Sequence, residues 1–481
     1  MLTLLLAVSV THGVSIGEVS AREAILWSRS SEPAAMRVEL DEDADFQTPR
    51  IFEGRSEADR DFTARITLTE LEPSTTYHYR VRFDDSPWTV GRFRTAPARD
   101  RVEPLAFVVM GDLGGHGYCR EDGIGYAIFS HMEALEPRFL VANGDMIYAD
   151  SDCPRERSEG GRNVPGDFPK VDDPSVDWTD ADAVREIYLA HWRYNRADPH
   201  FQSLLAKVPI YVQWDDHEVI NDFGGAWPTY TAAVDRKGYP ILVREGRKAL
   251  FDFHPLKRPD EGPPRIYRAF RWGQLAELFL LDARSYRSSN VLTDSPDNDK
   301  TLLGREQLAW LKSGLARSDA TWKIVSTDVP LSIPTGSRAH EYGRDAWANG
   351  TAADYSARTG FERELRELLE HLDAEDVTNV VFVATDVHFA MSLRYEVDLD
   401  GDGEKLLFHE LISGPLSAVR VPAQTPDPTF RPQVLYAEDE IFNFGYVRIE
   451  PTSDGTSRLY ADIRDETGAV RVGSALELVA Q

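Results

Sequence analysis

The sequence predicts a chain of mixed class, α+β overall with an α/β core: a β-sandwich over residues 1–97, then a layered α/β domain over residues 98–481. Three observations carry this. Six apolar runs each stop at, or just before, a cluster of Asp, His or Arg: LAFVVMGD at Asp112, RFLVANGD at Asp145, VPIYVQWDDHE through Glu218, ELFLLDAR at Arg284, WKIVSTD at Asp328 and VVFVATDVH at His388. Runs of this length rich in Val, Ile and Phe read as buried strands. Between them lie GIGYAIFSHMEALE, AVREIYLAHWRYNR, GREQLAWLKSGLARS and FERELRELLEHL, with apolar residues at helical spacing. Strand–helix alternation marks a layered α/β domain. Upstream, TTYHYRVRF alternates: Tyr77, Tyr79, Val81 and Phe83 fall on one face, His78, Arg80 and Arg82 on the other, the period of a half-buried strand.

Taken in order, MLTLLLAVSVTHG reads either as a short signal-peptide core, without the basic residues that usually precede one, or as a first strand continued by Ile16 and Val19. REAILWSR and MRVELDED are further strands. The run Leu71, Pro73, Thr76, Tyr77, Tyr79 resembles the fibronectin type III signature, which implies two packed sheets with the tyrosines in the core. TAPARDRVEP is a polar, proline-bearing boundary. Asp152–Asp182 and Ile333–Ser356 are long and polar, and are expected to be lids or rim loops. Trp192, Tyr194 and His254 are expected to be packing and loop residues. Asp398–Gly403 begins like a calcium loop, but His409 stands where a Glu is needed, so a hairpin turn is expected. HELISG, FNFGYVRIEPT, RLYADIRD and ALELVA predict a second, partly antiparallel sheet.

The net charge is −27, from 80 acids against 53 Lys plus Arg. That excludes nucleic acid and anionic membrane as natural partners. An anionic substrate then needs a local cationic centre. No stretch is long and apolar enough to span a bilayer. Cys119 and Cys153 each follow a strand end by a few residues. If those strands are neighbours, the thiols can pair across the rim; otherwise they are separate loop thiols.

Strands of an α/β sheet aim their carboxyl ends at one crevice. Here that would gather Asp112, Asp145 with Tyr148, Asp215-Asp216-His217-Glu218, and Asp386 with His388. Asp386 and His388, two apart, would share a face of an extended segment. So many acids cannot sit together without cations, so a metal site is expected. Oxygen ligands with a few imidazoles suit Fe, Mn, Zn or Ca, and a tyrosine oxygen favours Fe(III).

The order GD, GDxxY, DDHE, TDVH resembles the metallophosphoesterase superfamily. NGDMIY, WDDHEVINDF, LDARSYR, Gln307-Trp310-Leu311 and TDVHFA resemble, within it, the PhoD-like alkaline phosphatases, over nearly the whole chain. The resemblance implies a fibronectin-III-like β-sandwich followed by a four-layer α/β/β/α metallophosphoesterase domain. It implies that Asp112, Asp145, Tyr148 and His388 hold a first metal, Fe(III). Asp145 bridges to a second, divalent ion (Ca, Zn or Mn) that Asp216 and Asp386 also bind, with Asn221 a further candidate ligand. His217 would protonate the leaving group, and Arg284 would clamp a phosphoryl oxygen through its planar fork. Many members carry Cys where Asp112 stands, so the first site is more similar to that of purple acid phosphatases. The role of Asp215 stays open. The implied reaction is hydrolysis of a phosphate ester by an extracytoplasmic enzyme. The rivals are a phosphodiesterase or phospholipase D-type activity on lipid or wall-polymer phosphodiesters, a metal-dependent hydrolase of a non-phosphate ester, and a surface-binding protein with a structural metal site.

Overall fold

A computed structural model describes residues 8–157, 159–225, 227–228, 237–258, 265–334, 345–348, 360–399 and 401–481. The alternation of side chains along each strand sets the architecture. On β1 (Leu105–Met110), Phe107 and Val109 enter one core and Val108 and Met110 another. β2 (Phe139–Ala142) splits the same way, Phe139 and Val141 against Leu140 and Ala142. In β3 (Ile210–Val212), Tyr211 faces the first core and its two neighbours the second. Successive strand residues face opposite sides. Both sides are apolar, so this sheet is covered twice.

A second sheet covers one face. From β4 (Ala276–Leu280), β5 (Trp322–Ser326) and β6 (Val380–Ala384), Leu278, Ile324 and Val381 join Phe107 and Phe139 between the sheets, while Phe279, Val325 and Phe382 face outward. Helices cover the outer faces. Ala181–Arg196 and Tyr239–Phe253 lie on the first sheet, and Gly304–Arg317 and Glu362–Ala374 on the second. The four layers are therefore helix, sheet, sheet, helix, as expected. Within each sheet the three named strands run parallel in register, Leu140 beside Val108 and Ile210, and Ile324 beside Leu278 and Val381. Their carboxyl ends are thereby level.

The N-terminal sandwich packs Tyr77, Tyr79, Val81 and Phe83 against Val14, Ile16, Leu26 and Ile66. Three of its strands, Val10–Gly17, Ala24–Ser30 and Thr63–Leu68, also join the first sheet, nine strands in all with three from the tail, because Gly17 pairs with Ile210. A Cβ at Gly17 would lie 2.6 Å from Ile210 O, so only glycine permits that approach. The first half of the ambiguous leader, residues 1–7, lies outside the described residues, and the rest is strand from Val10.

The tail departs from expectation. Asn443–Pro451, Ser457–Asp465 and Leu476–Val479 form no separate sheet. They extend the first sheet antiparallel beside β1, whereas Leu406–Ile412 enters the second beside β6, followed outward by Ala390–Val397 and Gln433–Glu438. The hairpin between Ala390–Val397 and Leu406–Ile412 is present, with Asp398 capping its turn at Gly401 N. Helix Tyr239–Phe253 was not among the expected helices. Pro240 sits in the first turn, where it is tolerated, and Gly246 lets the helix approach Glu218 O. Trp192 is packed as expected. His254 is buried at the end of this helix, its ring bonded to Leu250 O at 2.9 Å. Of Ile333–Ser356, only residues 333–334 and 345–348 are described.

Candidate metal centre

Asn143, just after β2, ties the ends of both sheets together. Its Nδ2 donates to Ser326 Oγ at 2.5 Å, and its Oδ1 accepts from Thr385 Oγ1 at 3.0 Å. All six strand ends therefore open on one rim.

The chain turns sharply there. Asp112, Asp145, Asp386 and His388 all have positive φ, from 53° to 73°. Non-glycine residues rarely adopt this conformation, at a cost of order 1–3 kcal/mol each, and it persists where the surroundings over-determine it. The turn overturns the expectation of an extended Asp386-Val387-His388, and sends the acid and the imidazole to different clusters.

Among the described residues four groups result: Asp112, Asp145 and His388; Asp145, Asp216 and His217; Asp215, Asp216 and Asp386; Asp216, Asp222 and Asp345. Ligand atoms within each lie within 4.8 Å of one another. Asp145 belongs to two groups and Asp216 to three. Asp112 Oδ2, Asp215 Oδ2, Asp216 Oδ1 and Asp386 Oδ2 are buried without a hydrogen bond. Such atoms are costly, and a cation satisfies several at once. Carboxylates, a phenol and imidazoles are the donor set of a hard or borderline metal, so the residues fit one.

His388 is bonded through Nδ1 to Val419 O. Its Nε2 faces Tyr148 Oη at 2.9 Å and Asp112 Oδ1 at 3.9 Å. Burial, with His116 nearby, pushes its pKa down to about 3, so the ring is neutral with a lone pair free to ligate. Burial first, then neighbouring carboxylates, push Asp112, Asp145 and Asp386 well above the carboxylate range. The same causes raise Tyr148. A cation reverses both effects.

His217 is of the opposite kind. Its Nδ1 lies 2.6 Å from Asp150 Oδ1, and its Nε2 3.9 Å from Asp216 Oδ1. Burial lowers its pKa, but Asp150 and Asp216 outweigh that and raise it to about 10. Asp150 was missed by sequence reasoning, having no motif of its own. Asn221 donates its backbone N–H to Asp150 Oδ2 at 2.8 Å and its side-chain amide to Asp222 at 2.9 Å. It thereby supports two acids, one of which, Asp222, belongs to a ligand cluster.

Arg284 is fully buried and takes its place among carboxylates. Asp215 lies at 2.5 Å, Asp386 at 3.4 Å, Asp328 at 3.6 Å and Asp216 at 3.8 Å, with Asp345 on Nη1. Every guanidinium nitrogen has a carboxylate beside it, so the fork does not face open space as a phosphoryl clamp must. Asp215 thereby gains a role: it anchors Arg284. Glu218 is a second anchor. Its carboxylate accepts backbone N–H groups of Asp145 at 3.0 Å, Met146 at 2.7 Å and Asp215 at 2.9 Å, lashing the turn after β2 to the turn after β3. Cys119 and Cys153 are disulfide-bonded, joining the loops beyond β1 and β2.

A family model described as PhoD-like phosphatase matches residues 107–458, and one for the PhoD-like phosphatase N-terminal domain matches residues 5–97. Alkaline phosphatase D of Bacillus subtilis (strain 168) is 24% identical over 434 residues, covering 84% of this chain and 68% of its own length. The solved structure of PhoD superposes with a TM-score of 0.76 at 18% identity, over 98% of this chain and 92% of that one. A purple acid phosphatase from yellow lupin seeds gives 0.62 at 14% identity, over 97% and 74%.

Proposed function

This chain belongs to the PhoD-like phosphatase family, and from that premise we propose that it hydrolyses phosphate esters at a two-metal centre on the rim of β1 to β6. One observation carries the reading: Asp145 is shared between two ligand clusters, as a bridging carboxylate must be. Asp112, Asp145, Tyr148 and His388 would hold the first ion, Fe(III) in view of the phenol. Asp145, Asp216 and Asp386 would hold the second, Ca, Zn or Mn. Bound there, the pair supplies Lewis acidity that activates water and polarises the ester.

The chain's own residues do the rest. His217, protonated through Asp150, donates a proton from Nε2 to the leaving oxygen. Arg284 offsets the charge of the acids around the second ion and positions Asp215, Asp216 and Asp386. The sandwich, residues 1–97, is a fibronectin-like module that braces the catalytic domain, residues 98–481, through the shared sheet. The disulfide favours an extracytoplasmic setting.

The test is turnover of p-nitrophenyl phosphate and bis(p-nitrophenyl) phosphate by metal-loaded protein, wild type against His217→Asn. Loss of turnover with metal content intact supports the reading, and the ratio of the two rates assigns monoester or diester preference. Full turnover in His217→Asn, or none in the wild type with two metals bound, overturns it.

A further inference from the structure

A cavity of about 630 Å³ lies between the sandwich and the catalytic sheets. Pro104 and Leu105 on its wall lead into β1, Pro137 and Arg138 into β2, and Val208 and Pro209 into β3. It therefore sits at the starts of the three strands whose ends carry the metal centre. The length of β1 alone, at about 3.3 Å per residue, puts roughly 20 Å between the two. None of its walls belongs to the catalytic rim.

Its size falls in the range of about 300–1,000 Å³ typical of small-molecule sites. Its lining is apolar, cationic and acidic, with Glu133, Glu136 and Glu450 as the acids. Phe93, Leu105 and Leu135 are apolar, and Arg92, Arg94, Arg138, Lys207 and Arg448 are cationic, on a chain whose net charge is −27. Four of these cations have a carboxylate partner: Arg92 with Glu136 at 3.2 Å, Arg94 with Glu103 at 3.2 Å, Arg448 with Glu450 at 2.8 Å, and Lys207 with Glu133. Arg138 differs. Its backbone N–H donates to Ala106 O at 2.7 Å, but its guanidinium makes no hydrogen bond or ion pair with a described residue. Burial first, then Arg94, disfavours its charge, and Glu103 and Glu136 support it from beyond contact distance. The five cations of the wall outnumber its three acids, and Arg138 is the cation among them left without a direct carboxylate contact in the described residues. A guanidinium is the side chain that grips an oxyanion with two parallel N–H bonds.

We propose that this cleft is a second ligand site, for a small organic anion whose phosphate, sulfonate or carboxylate group sits on Arg138 and whose body lies against Phe93 and Leu135. Such a ligand touches the sandwich through Phe93 and Arg94 and the catalytic sheet through Arg138, so it braces the junction between them.

Calorimetric titration of the metal-loaded enzyme with naphthalene-2-sulfonate, and separately with sulfate, tests this. The expected result is one naphthalene-2-sulfonate per wild-type chain, retained in Asp145→Asn and weakened at least about tenfold in Arg138→Gln, as loss of a charged hydrogen bond requires. Arg138→Gln should turn over p-nitrophenyl phosphate at the wild-type rate in the absence of the sulfonate. The proposal is overturned if binding is unchanged in Arg138→Gln, if it vanishes in Asp145→Asn, or if sulfate binds as tightly as the naphthyl compound, since the apolar wall would then contribute nothing.

Discussion

Asp150 Oδ1 lies 2.6 Å from His217 Nδ1, with both side chains buried. The contact joins residues 67 apart in sequence and leaves Nε2 as the ring's only reactive nitrogen. Burial alone would keep His217 neutral. Asp150 and then Asp216 raise its pKa to about 10, so it carries a proton to donate. Two bound cations nearby pull that value down, so the basic limb of turnover should fall below about 10 yet above the ordinary histidine value. Asp150→Asn removes the larger support. The basic limb should then move down by more than one pH unit, and turnover at alkaline pH should fall on the order of 10²-fold, the contribution of a general acid. Metal content should not change. A pH–rate profile of Asp150→Asn that overlays the wild type sinks the assignment.

Glu218 makes a second prediction, about metal affinity rather than proton transfer. Three backbone N–H groups, from Asp145, Met146 and Asp215, converge on its carboxylate. A Gln amide can accept through one oxygen only and turns its NH₂ on the remaining donors. Bonds to a charged group are each worth about 1.5–3 kcal/mol. Glu218→Gln should therefore lower the melting temperature by several degrees and weaken metal retention under chelator by an order of magnitude or more. The readout is metal content after graded dialysis. Retention equal to the wild type at the same chelator concentration would show that the two turns hold themselves.

How much of this was legible follows the range of the contacts. β1 to β6 were readable because each is a short apolar run with its own chemistry at the end, and Asp112, Asp145, Asp216, Asp386 and His388 stand at those ends. Asp150, Asp222 and Asp345 were not readable as site residues. Asp345 belongs to no apolar run, and its place in the site depends on long-range contacts, with Arg284, 61 residues away, and with Arg287. The backbone of Asp386-Val387-His388 was misread because left-handed φ at Asp and His leaves no pattern in composition. Burial of Arg284 was likewise invisible: the motif supplies a guanidinium, and the fold alone decides that carboxylates take all its nitrogens.

Tyr148 offers a direct test of the first ion. Its Oη lies 2.9 Å from His388 Nε2, beside Asp145 and Asp112, whose charges with burial hold the phenol protonated unless a cation binds. Metal-loaded protein should show a visible tyrosinate–Fe(III) charge-transfer band, absent in Tyr148→Phe and after removal of iron by chelation. Turnover should fall with iron content. A colourless, fully active protein would replace Fe(III) by Zn or Mn at this position.

The disulfide ties two loops of the rim across a separation of 34 residues. Loop-closure entropy for that length is worth about 3–4 kcal/mol. Cys153→Ser should lower stability by an amount of that order and raise KM more than it lowers kcat, because the bond holds the rim and no atom of the reaction. An equal fall in kcat at unchanged KM would mean that the loops reach the chemistry itself.

Glu410, which belongs to none of the ligand clusters, makes the last prediction, on stability against pH. It is fully buried, and accepts from Tyr395 Oη and from Leu331 N, both at 2.6 Å. Burial outweighs those two bonds and raises its pKa from the ordinary value to about 7. The sign follows from proton counting. Below about pH 4 the folded and unfolded chains are both protonated here, and the group's stabilising contribution is complete. As pH rises, the unfolded chain gives up its proton first, so stability falls until the folded chain also ionises near pH 7. Each pKa unit is worth about 1.4 kcal/mol, so the swing is of order a few kcal/mol. Glu410→Gln keeps the shape and removes the titration. Its denaturation midpoint should gain on the wild type between about pH 5 and pH 8, by an amount that grows with pH. A constant difference across that range would mean that Glu410 ionises alike in both states, and that its two hydrogen bonds compensate its burial in full.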